Sequence, residues 1–415
     1  MTWRRRAGGG GSVNFDFSTG VLDPRINFTR ASSASYFDST GTLQAANNNV
    51  PRFDYDPLSL AFKGFLIEDT RTNTIRNNTC QGAVAGTPGT LPTNVTVPNL
   101  VGLTQQITTI STENGITFLG IRFSGTPNAT ATITIQFETT GIIAAVNAQA
   151  WAYSLYLKFS AGSLTNVGQA ALVLNQRDSG GTGLGNLSGP SFTIPATNLA
   201  ASRALSGTLT TNQATIAFLT PQLQIGVTNG QAIDVTLRIG LPQLEQASFA
   251  SSPIPTSGAA VTRQVDNASM PIPSYNVAEG TIYADFMLEG LTGGQQFPFQ
   301  IDDNTNINRI LLQVFSDASI RGNQVVSGVA TTTIVGPTAV ANTLYKMAMG
   351  AAATNSKTAV NGTLFGPQTG NMPPVLSFLR FGISASTGAL LFGWLKRAGY
   401  MPSRAPDGQL QSMTT

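Results

Sequence analysis

The chain has 415 residues, more than one hydrophobic core ordinarily supports, so we expect two or three domains. It has no histidine and one cysteine, Cys80, which excludes a histidine base, zinc sites built from histidine or cysteine, and a disulfide within the chain. The net charge is +3 without a basic stripe, which argues against a nucleic-acid partner. Charged residues make up only 10%, which indicates a β-sheet surface covered by Thr, Ser, Asn, Gln and Gly.

Residues 1–12 are predicted to be an N-terminal anchoring arm. The arm carries one tryptophan and three arginines, Trp3, Arg4, Arg5 and Arg6. A glycine run follows that cannot hold one conformation by itself, so we expect the arm to become ordered on a partner, with a disordered tail as the alternative. The arm lacks the apolar run of a signal peptide, and no stretch of the chain approaches the ~18 apolar residues that cross a membrane. We therefore expect synthesis in a cytoplasm without export, and no membrane insertion.

Residues 13–78 are predicted to form a small β-rich module. Turn sequences such as Asp23-Pro24 and Asp56-Pro57 separate short alternating stretches, and no helical period continues beyond one turn. Linker-like proline and glycine sequences then lead into residues 79–262, which are predicted to form a jelly roll. Its strongest strand patterns are 131–137 and 151–159, where apolar and polar residues alternate.

Residues 263–415 are predicted to form a second β-sandwich. A region rich in proline and serine, 250–275, marks the boundary, and further strand patterns follow it. Asn361-Gly362 is typical of a hairpin turn, and residues 406–413 suit a short closing helix. The predicted fold class is thus all-β, with tandem jelly-roll or sandwich domains preceded by the anchoring arm and the small module.

Four stretches of the sequence resemble modules of bacteriophage fibre proteins. The longest contains Thr29-Arg30-Ala31-Ser32, Pro51-Arg52-Phe53-Asp54 and Gly64-Phe65-Leu66-Ile67-Glu68, and it is similar to a module of tail-fibre and head-fibre proteins, which usually have Leu at position 65. Residues 153–158 resemble a strand of carbohydrate-binding jelly rolls, and residues 241–256 resemble the segment that ends such domains in phage proteins. Residues 304–310 and 393–410 resemble a concanavalin-like domain of the same proteins.

The resemblance implies a structural virion protein. Such a protein is a fibre or appendage subunit of the virion and is made in the host bacterial cytoplasm. It binds a tail adaptor or capsid protein through its N-terminus and contacts host-surface polysaccharide. A homotrimer is also implied, and the low charge favours it because neutral surfaces repel one another little. The alternatives are a capsid-bound head fibre or decoration protein without a receptor role and, from another class, a glycan depolymerase.

Exposed aromatic rings are typical of sugar-binding faces. The candidates for a glycan site are Trp151, Tyr153 and Tyr156. Trp151 and Tyr153 share one strand face with Leu155 and Leu157, so a core stripe is the alternative interpretation, whereas Tyr156 points to the opposite face.

No catalytic residue, metal or cofactor is predicted. Asp302-Asp303-Asn304 offers oxygen ligands that suit calcium, but Ile307 occupies the position where an EF-hand loop needs glycine, so a polar hairpin turn is expected. Glycosidases need two carboxylates across a cleft, and nothing in the sequence pairs the available candidates. Those candidates are Glu68, Asp69, Glu113, Asp178 and Asp234. We therefore expect no enzyme activity.

Overall fold

The computed structural model describes residues 11–386 and 390–415. The predicted anchoring residues Trp3, Arg4, Arg5 and Arg6 lie outside this part of the chain. Within it, nearly all regular structure is β-strand, and the strands form two sandwiches, which confirms the predicted all-β fold class. No helix within the described ranges is long and apolar enough to span a membrane.

Seven short strands precede the first sandwich. They are β1 (Val13–Asp16), β2 (Asn27–Thr29), β3 (Ala34–Phe37), β4 (Leu43–Ala46), β5 (Phe53–Tyr55), β6 (Phe62–Ile67) and β7 (Arg71–Asn73), with a 3-10 turn at Phe17–Thr19. Strands β3 and β4 pair with each other as a hairpin, and we call them the β3–β4 hairpin.

The first sandwich comprises the next eleven strands. They are β8 (Thr96–Asn99), β9 (Thr104–Glu113), β10 (Ile116–Gly125), β11 (Ala131–Gln136), β12 (Ile143–Ala144), β13 (Ala150–Gly162), β14 (Val167–Arg177), β15 (Gly183–Ser188), β16 (Arg203–Thr210), β17 (Phe218–Val227) and β18 (Ile233–Glu245), with a 3-10 turn at Leu199–Ala201. One sheet has the order β16-β13-β18-β10-β9, and the other has the order β15-β14-β17-β11-β8 with β12 beside β17. Their facing apolar side chains form one core, as the alternation in β11 and β13 predicts.

The remaining strands follow the first sandwich along the chain, and all of them except β19 belong to the second sandwich. They are β19 (Val261–Arg263), β20 (Asn267–Pro271), β21 (Glu279–Leu288), β22 (Gln296–Asp302), β23 (Arg309–Val314), β24 (Ser319–Val326), β25 (Val329–Thr338), β26 (Leu344–Ala352), β27 (Ser356–Val360), β28 (Thr363–Gln368), β29 (Phe378–Phe381) and β30 (Gly393–Met401), followed by helix α1 (Asp407–Met413). The seven-stranded sheet runs β2-β20-β29-β22-β23-β24-β25. The eight-stranded sheet runs β28-β27-β26-β21-β30-β6-β5, with β1 beside β30. Both the predicted closing helix and the hairpin turn at Asn361-Gly362, where both residues have positive φ, are confirmed.

Residues 13–78 do not form a separate module, contrary to the sequence prediction. Strand β1 pairs with β30, β6 also pairs with β30, and β2 pairs with β20, so the N-terminal strands complete both sheets of the second sandwich. Strand β7 pairs with β19 between the two sandwiches. The second sandwich is therefore built from both ends of the described chain, and the first sandwich is inserted between them.

Candidate functional site

The three aromatic residues predicted to bind glycan are all buried. Trp151 and Tyr153 are 2% and 0% exposed and lie in the core of the first sandwich. Tyr156 is 1% exposed and lies on the other side of β13, where Phe37 and Leu43 of the β3–β4 hairpin pack around it. Because both faces of this strand are covered, these rings form no exposed stacking surface. The alternative interpretation, in which Trp151 and Tyr153 belong to a stripe of core residues, is therefore the one that the structure supports.

The acidic residues considered for catalysis each have partners of their own. Glu113 accepts hydrogen bonds from Lys158 (2.9 Å) and from Arg238. Asp234 faces solvent, as the alternation predicts, and pairs with Arg122 at 2.7 Å. Asp178 and Asp69 accept backbone N–H groups of the turns in which they lie. Glu68 is buried and pairs with Arg52 and Arg263.

The predicted polar turn at residues 302–306 is confirmed. It connects β22 to β23, and Asp302 and Asp303 accept the backbone N–H groups of Asn304 and Thr305. Across the described ranges, no group of three or more acidic or cysteine side chains is placed to hold a metal ion.

The N-terminal segment contributes three side chains to a buried ion cluster between the sandwiches. Arg52 donates to Glu68 and to Asp266, both at 2.5 Å. Arg30 pairs with the second oxygen of Asp266 at 3.0 Å, and Arg263 approaches Glu68 at 3.0 Å. All five side chains are at most 1% exposed. The cluster joins two segments that are distant in sequence, since Arg52 and Asp266 lie 214 residues apart.

Opposite charges within this cluster favour the ionised forms of Glu68 and Arg52. Burial alone would raise the pKa of the Glu68 carboxyl, but the guanidinium groups of Arg263 and Arg52 outweigh it and hold that pKa below its usual value. Burial likewise opposes the charge of Arg52, but Asp266 and Glu68 raise its pKa. Such an arrangement, closed to solvent, has a structural role: it fixes the N-terminal segment against the segment that connects the sandwiches. Sequence reasoning did not identify Arg263 and Asp266 as its members.

A cavity lies beside this cluster, at the junction of the two sandwiches. It has a volume of about 330 Å³ and is lined mainly by apolar groups of the β3–β4 hairpin and the connecting segment, including Leu43, Pro253 and Ile254. Its one charged lining residue, Arg263, already pairs with Glu68. The cavity is thus a packing space beside the cluster and offers little polar chemistry to a ligand.

The second sheet of the first sandwich carries an uncharged polar face. In β11, β14 and β17, the side chains that alternate with core residues such as Ile135, Leu172 and Leu223 point outward. Five of them, together with Asn186 of the neighbouring β15, define what we call the amide face; the five are Thr134, Gln136, Asn175, Gln222 and Gln224. Thr134, Gln136 and Gln222 are 8%, 8% and 6% exposed, Asn175 and Gln224 are half-buried, and Asn186 is exposed. The β3–β4 hairpin packs against the other sheet, so the amide face lies on the opposite side of the sandwich.

Strand pairing sets the spacing of the amide face. Gln136 lies beside Gln222, Thr134 beside Gln224, and Asn175 beside Asn186. The amides bond to one another: the Gln224 side chain donates to Gln222 at 2.9 Å, and the Asn175 side chain donates to Asn186 at 2.6 Å. This pairing fixes the orientation of donors and acceptors before any ligand arrives.

Two features of the amide face bear on ligands. The Asn175 side-chain oxygen is buried and accepts no hydrogen bond from the residues that the structure describes. The strands β8, β11, β14, β15 and β17 contain one charged residue, Arg177, at the end of the face, where its Nε donates to Thr220 at 3.1 Å. A ligand bound to the amide face would contact amide and hydroxyl groups. The strands of this face contain no carboxylate residue, and no metal site is found in the described ranges.

Comparison with known proteins shows only remote similarity. No family model and no curated protein sequence matches the chain. Among solved structures, the carbohydrate-binding module CBM40 of the Ruminococcus gnavus IT-sialidase is 14% identical, with a TM-score of 0.29 over 34% of this chain and 84% of that one. Mouse laminin α1 domains LG4-5 are 10% identical, with a TM-score of 0.27 over 71% and 93% of the two chains. Trypanosoma rangeli sialidase is 9% identical, with a TM-score of 0.28 over 94% and 98%. At these TM-scores the similarities establish no family, and the sandwich architecture rests on the sheet topology itself.

Proposed function

We propose that this chain is a structural subunit of a bacteriophage particle, a fibre or appendage protein whose first sandwich binds neutral host-surface glycans. The observation that carries the glycan part is the amide face. Its amide and hydroxyl groups supply both donors and acceptors, which match the hydroxyl groups of sugars. Its strands carry a single charged residue, Arg177, which already donates to Thr220, and this scarcity of charge favours neutral sugars over acidic ones.

The phage part rests on the sequence resemblance, and the ion cluster adds a physical reason for it. Arg30, Arg52 and Glu68 stand in three separate motifs of the phage-like module, yet their side chains meet in one cluster. The motifs therefore act together as one structural unit, as expected of a recurring module. The proposal includes a virion location, anchoring to a tail adaptor or capsid protein through residues 1–12, and a homotrimer.

The two alternatives differ in what they require. A head fibre or decoration protein would share the fold and the anchor but would bind no receptor. A glycan depolymerase would need two free carboxylates, whereas Glu68, Glu113 and Asp234 are each paired with a cation. We therefore propose a protein without hydrolase activity. Incubation with host capsule or lipopolysaccharide should release no reducing ends, and reproducible release would favour the depolymerase.

Glycan binding is tested with an array of bacterial polysaccharides. The double variant Gln222→Ala, Gln224→Ala should weaken the affinity for any neutral glycan bound by the natural chain at least ten-fold, because two central hydrogen-bonding groups are lost. The matched control is Gln106→Ala, which removes an amide from the other sheet of the same sandwich. No binding of neutral glycans by the natural chain, or equal effects of both variants, would contradict the proposal.

A further inference from the structure

The second sandwich has two ends, and only one of them meets the first sandwich. Strand β21 ends at Leu288 beside the junction, where Gly290 packs against the Phe249 ring of the connecting segment. The strand begins at Glu279, and its ten residues at about 3.4 Å each place the two ends roughly 30 Å apart. We call the end away from the junction the far end; it is formed by residues 271–279, 302–309, 327–329, 373–378 and 401–404.

The first described residue, Gly11, lies at the far end. A Cβ atom on Gly11 would lie 2.8 Å from the Ser274 Cβ and 3.6 Å from Pro402, so the backbone runs directly against these two residues. Strand β1 then starts at Val13 opposite Tyr400 and runs toward the junction. The N-terminal arm is therefore attached to the far end.

Hydrogen bonds between loops give the far end a defined shape. The Asn276 side chain donates to the Pro402 carbonyl at 2.7 Å, and the Tyr275 hydroxyl donates to the Pro373 carbonyl at 2.8 Å. These bonds connect the loop before β21 to the loops before β29 and after β30. A partner that binds here meets loops that already hold one another, which lowers the entropic cost of docking.

Four apolar side chains at the far end are exposed. Ile307 and Val329 are 52% and 65% exposed and lie in adjacent turns, because the Gly328 N–H donates to the Ile307 carbonyl at 2.8 Å. Val277 and Val375 are 58% and 64% exposed, and each lies two residues from a member of the tyrosine–proline hydrogen bond. Apolar side chains that are exposed together mark contact sites for other proteins.

Ion pairs compensate several of the charges beside the far end. Asp302 pairs with Arg380 at 2.8 Å, and Asp407 pairs with Lys357 at 2.5 Å and with Arg404 at 2.7 Å. Because these charges already have partners, this end favours a protein surface with apolar side chains over a highly charged one.

We propose that the far end docks on the same virion protein that the N-terminal arm binds. The second sandwich then lies next to the particle, and the first sandwich, with its amide face, projects away from it. In a chain of consecutive domains the C-terminal sandwich would be outermost, but the insertion of the first sandwich reverses that order. This inference rests on the proposed virion location and adds to the arm a second, folded contact surface.

Charged substitutions test the surface. The double variant Val277→Asp, Val375→Asp should lower the amount of protein on particles at least ten-fold, because docking would bury two unpaired carboxylates. The matched control is Val146→Asp, Val340→Asp, which adds the same charges at sites that are 60% and 59% exposed, on the first sandwich and beside the junction. The control should be incorporated like the natural chain. Both variants should keep the melting temperature of the natural chain, since all four side chains are exposed.

Thiol labelling locates the far end on intact particles. The variants Val277→Cys and Val146→Cys are treated with a polymer-linked maleimide, both as purified chains and on particles. Cys80 is buried, so the natural chain gives the background. The thiol at position 277 should react in the purified chain and be protected on particles, whereas the thiol at position 146 should react in both.

Two results would overturn the docking surface and leave the virion location intact: equal labelling of Val277→Cys in both states, or normal incorporation of Val277→Asp, Val375→Asp. Protection of Val277→Cys already in the purified chain would assign the far end to contacts between copies and would also overturn the proposal. Absence of the natural chain from particles would refute the virion location and this inference with it.

Discussion

Replacing Arg52 with methionine should destabilise the junction of the two sandwiches without altering either core. The side chain is fully buried and bonds to Glu68, Asp266, the Ser35 carbonyl and the Ser252 hydroxyl. Removing one partner of a buried ion pair typically costs about 3–5 kcal/mol, because the other charge stays buried and unpaired.

Here the cost should lie at the lower end of that range. Glu68 keeps Arg263 at 3.0 Å, and Asp266 keeps Arg30 at 3.0 Å, so neither carboxylate loses its last cation. We therefore expect Arg52→Met to lower the free energy of unfolding by about 3 kcal/mol at neutral pH. Because Arg52 links segments of both sandwiches, we also expect the two sandwiches to unfold in separate calorimetric transitions.

The difference between Arg52→Met and the natural chain should depend on pH. The Glu68 pKa is lowered in the folded state, so its ion pairs contribute full stability above the unfolded value of about 4.3, and that contribution is lost as the pH falls toward the lower folded pKa. The destabilisation should therefore shrink in acid.

Urea unfolding and calorimetry measure both effects. Arg122→Met is the control, because Arg122 pairs with Asp234 at an exposed site where the two side chains are 39% and 52% accessible. That variant should lose far less stability than Arg52→Met, because solvent weakens an exposed ion pair. Equal losses in the two variants, or a single unchanged transition for Arg52→Met, would refute the structural role assigned to the cluster.

Three further predictions follow from the junction, the arm and the surface. Burial and the nearby Glu68 raise the pKa of Glu289 to about 8, so the free energy of unfolding should fall as the pH rises from about 4.5 to 8. Glu289→Gln should therefore stabilise the fold by about 2 kcal/mol at pH 8.5 but little at pH 5. Equal effects of this variant at both pH values would contradict the prediction. Deleting residues 2–11 should leave the melting temperature unchanged but abolish incorporation into particles, and normal incorporation would exclude an anchoring role. Light scattering should give three times 43.4 kDa, whereas the mass of one or two chains would exclude the trimer.

Local sequence patterns predicted the individual strands well. Alternation in residues 131–137 and 151–159 corresponds to β11 and β13, because a strand places successive side chains on opposite faces. Asn361-Gly362 forms the tight turn between β27 and β28 because both residues tolerate positive φ. These features depend on a few neighbouring residues, so a single sequence contains the necessary information.

The domain boundaries and the site did not follow from such patterns. Alternation shows that Trp151 and Tyr153 share a face, but whether a face is covered depends on a second element, and the β3–β4 hairpin that buries Tyr156 comes from a distant part of the chain. Likewise, β1 pairs with β30 at the other end of the described chain, and no local signal indicates that pairing. A usable signal did exist for the ion cluster: in a chain with 10% charged residues, Arg52 and Glu68 each stand within or beside apolar strand sequences.

The distribution of the few charges connects the fold to the proposed function. Five charged side chains are enclosed at the junction, where they fix the two sandwiches against each other. The strands of the amide face, by contrast, carry a single charged residue, Arg177, at one end. The chain thus places its fixed charges where they hold distant segments together and leaves the face proposed to bind glycans almost uncharged.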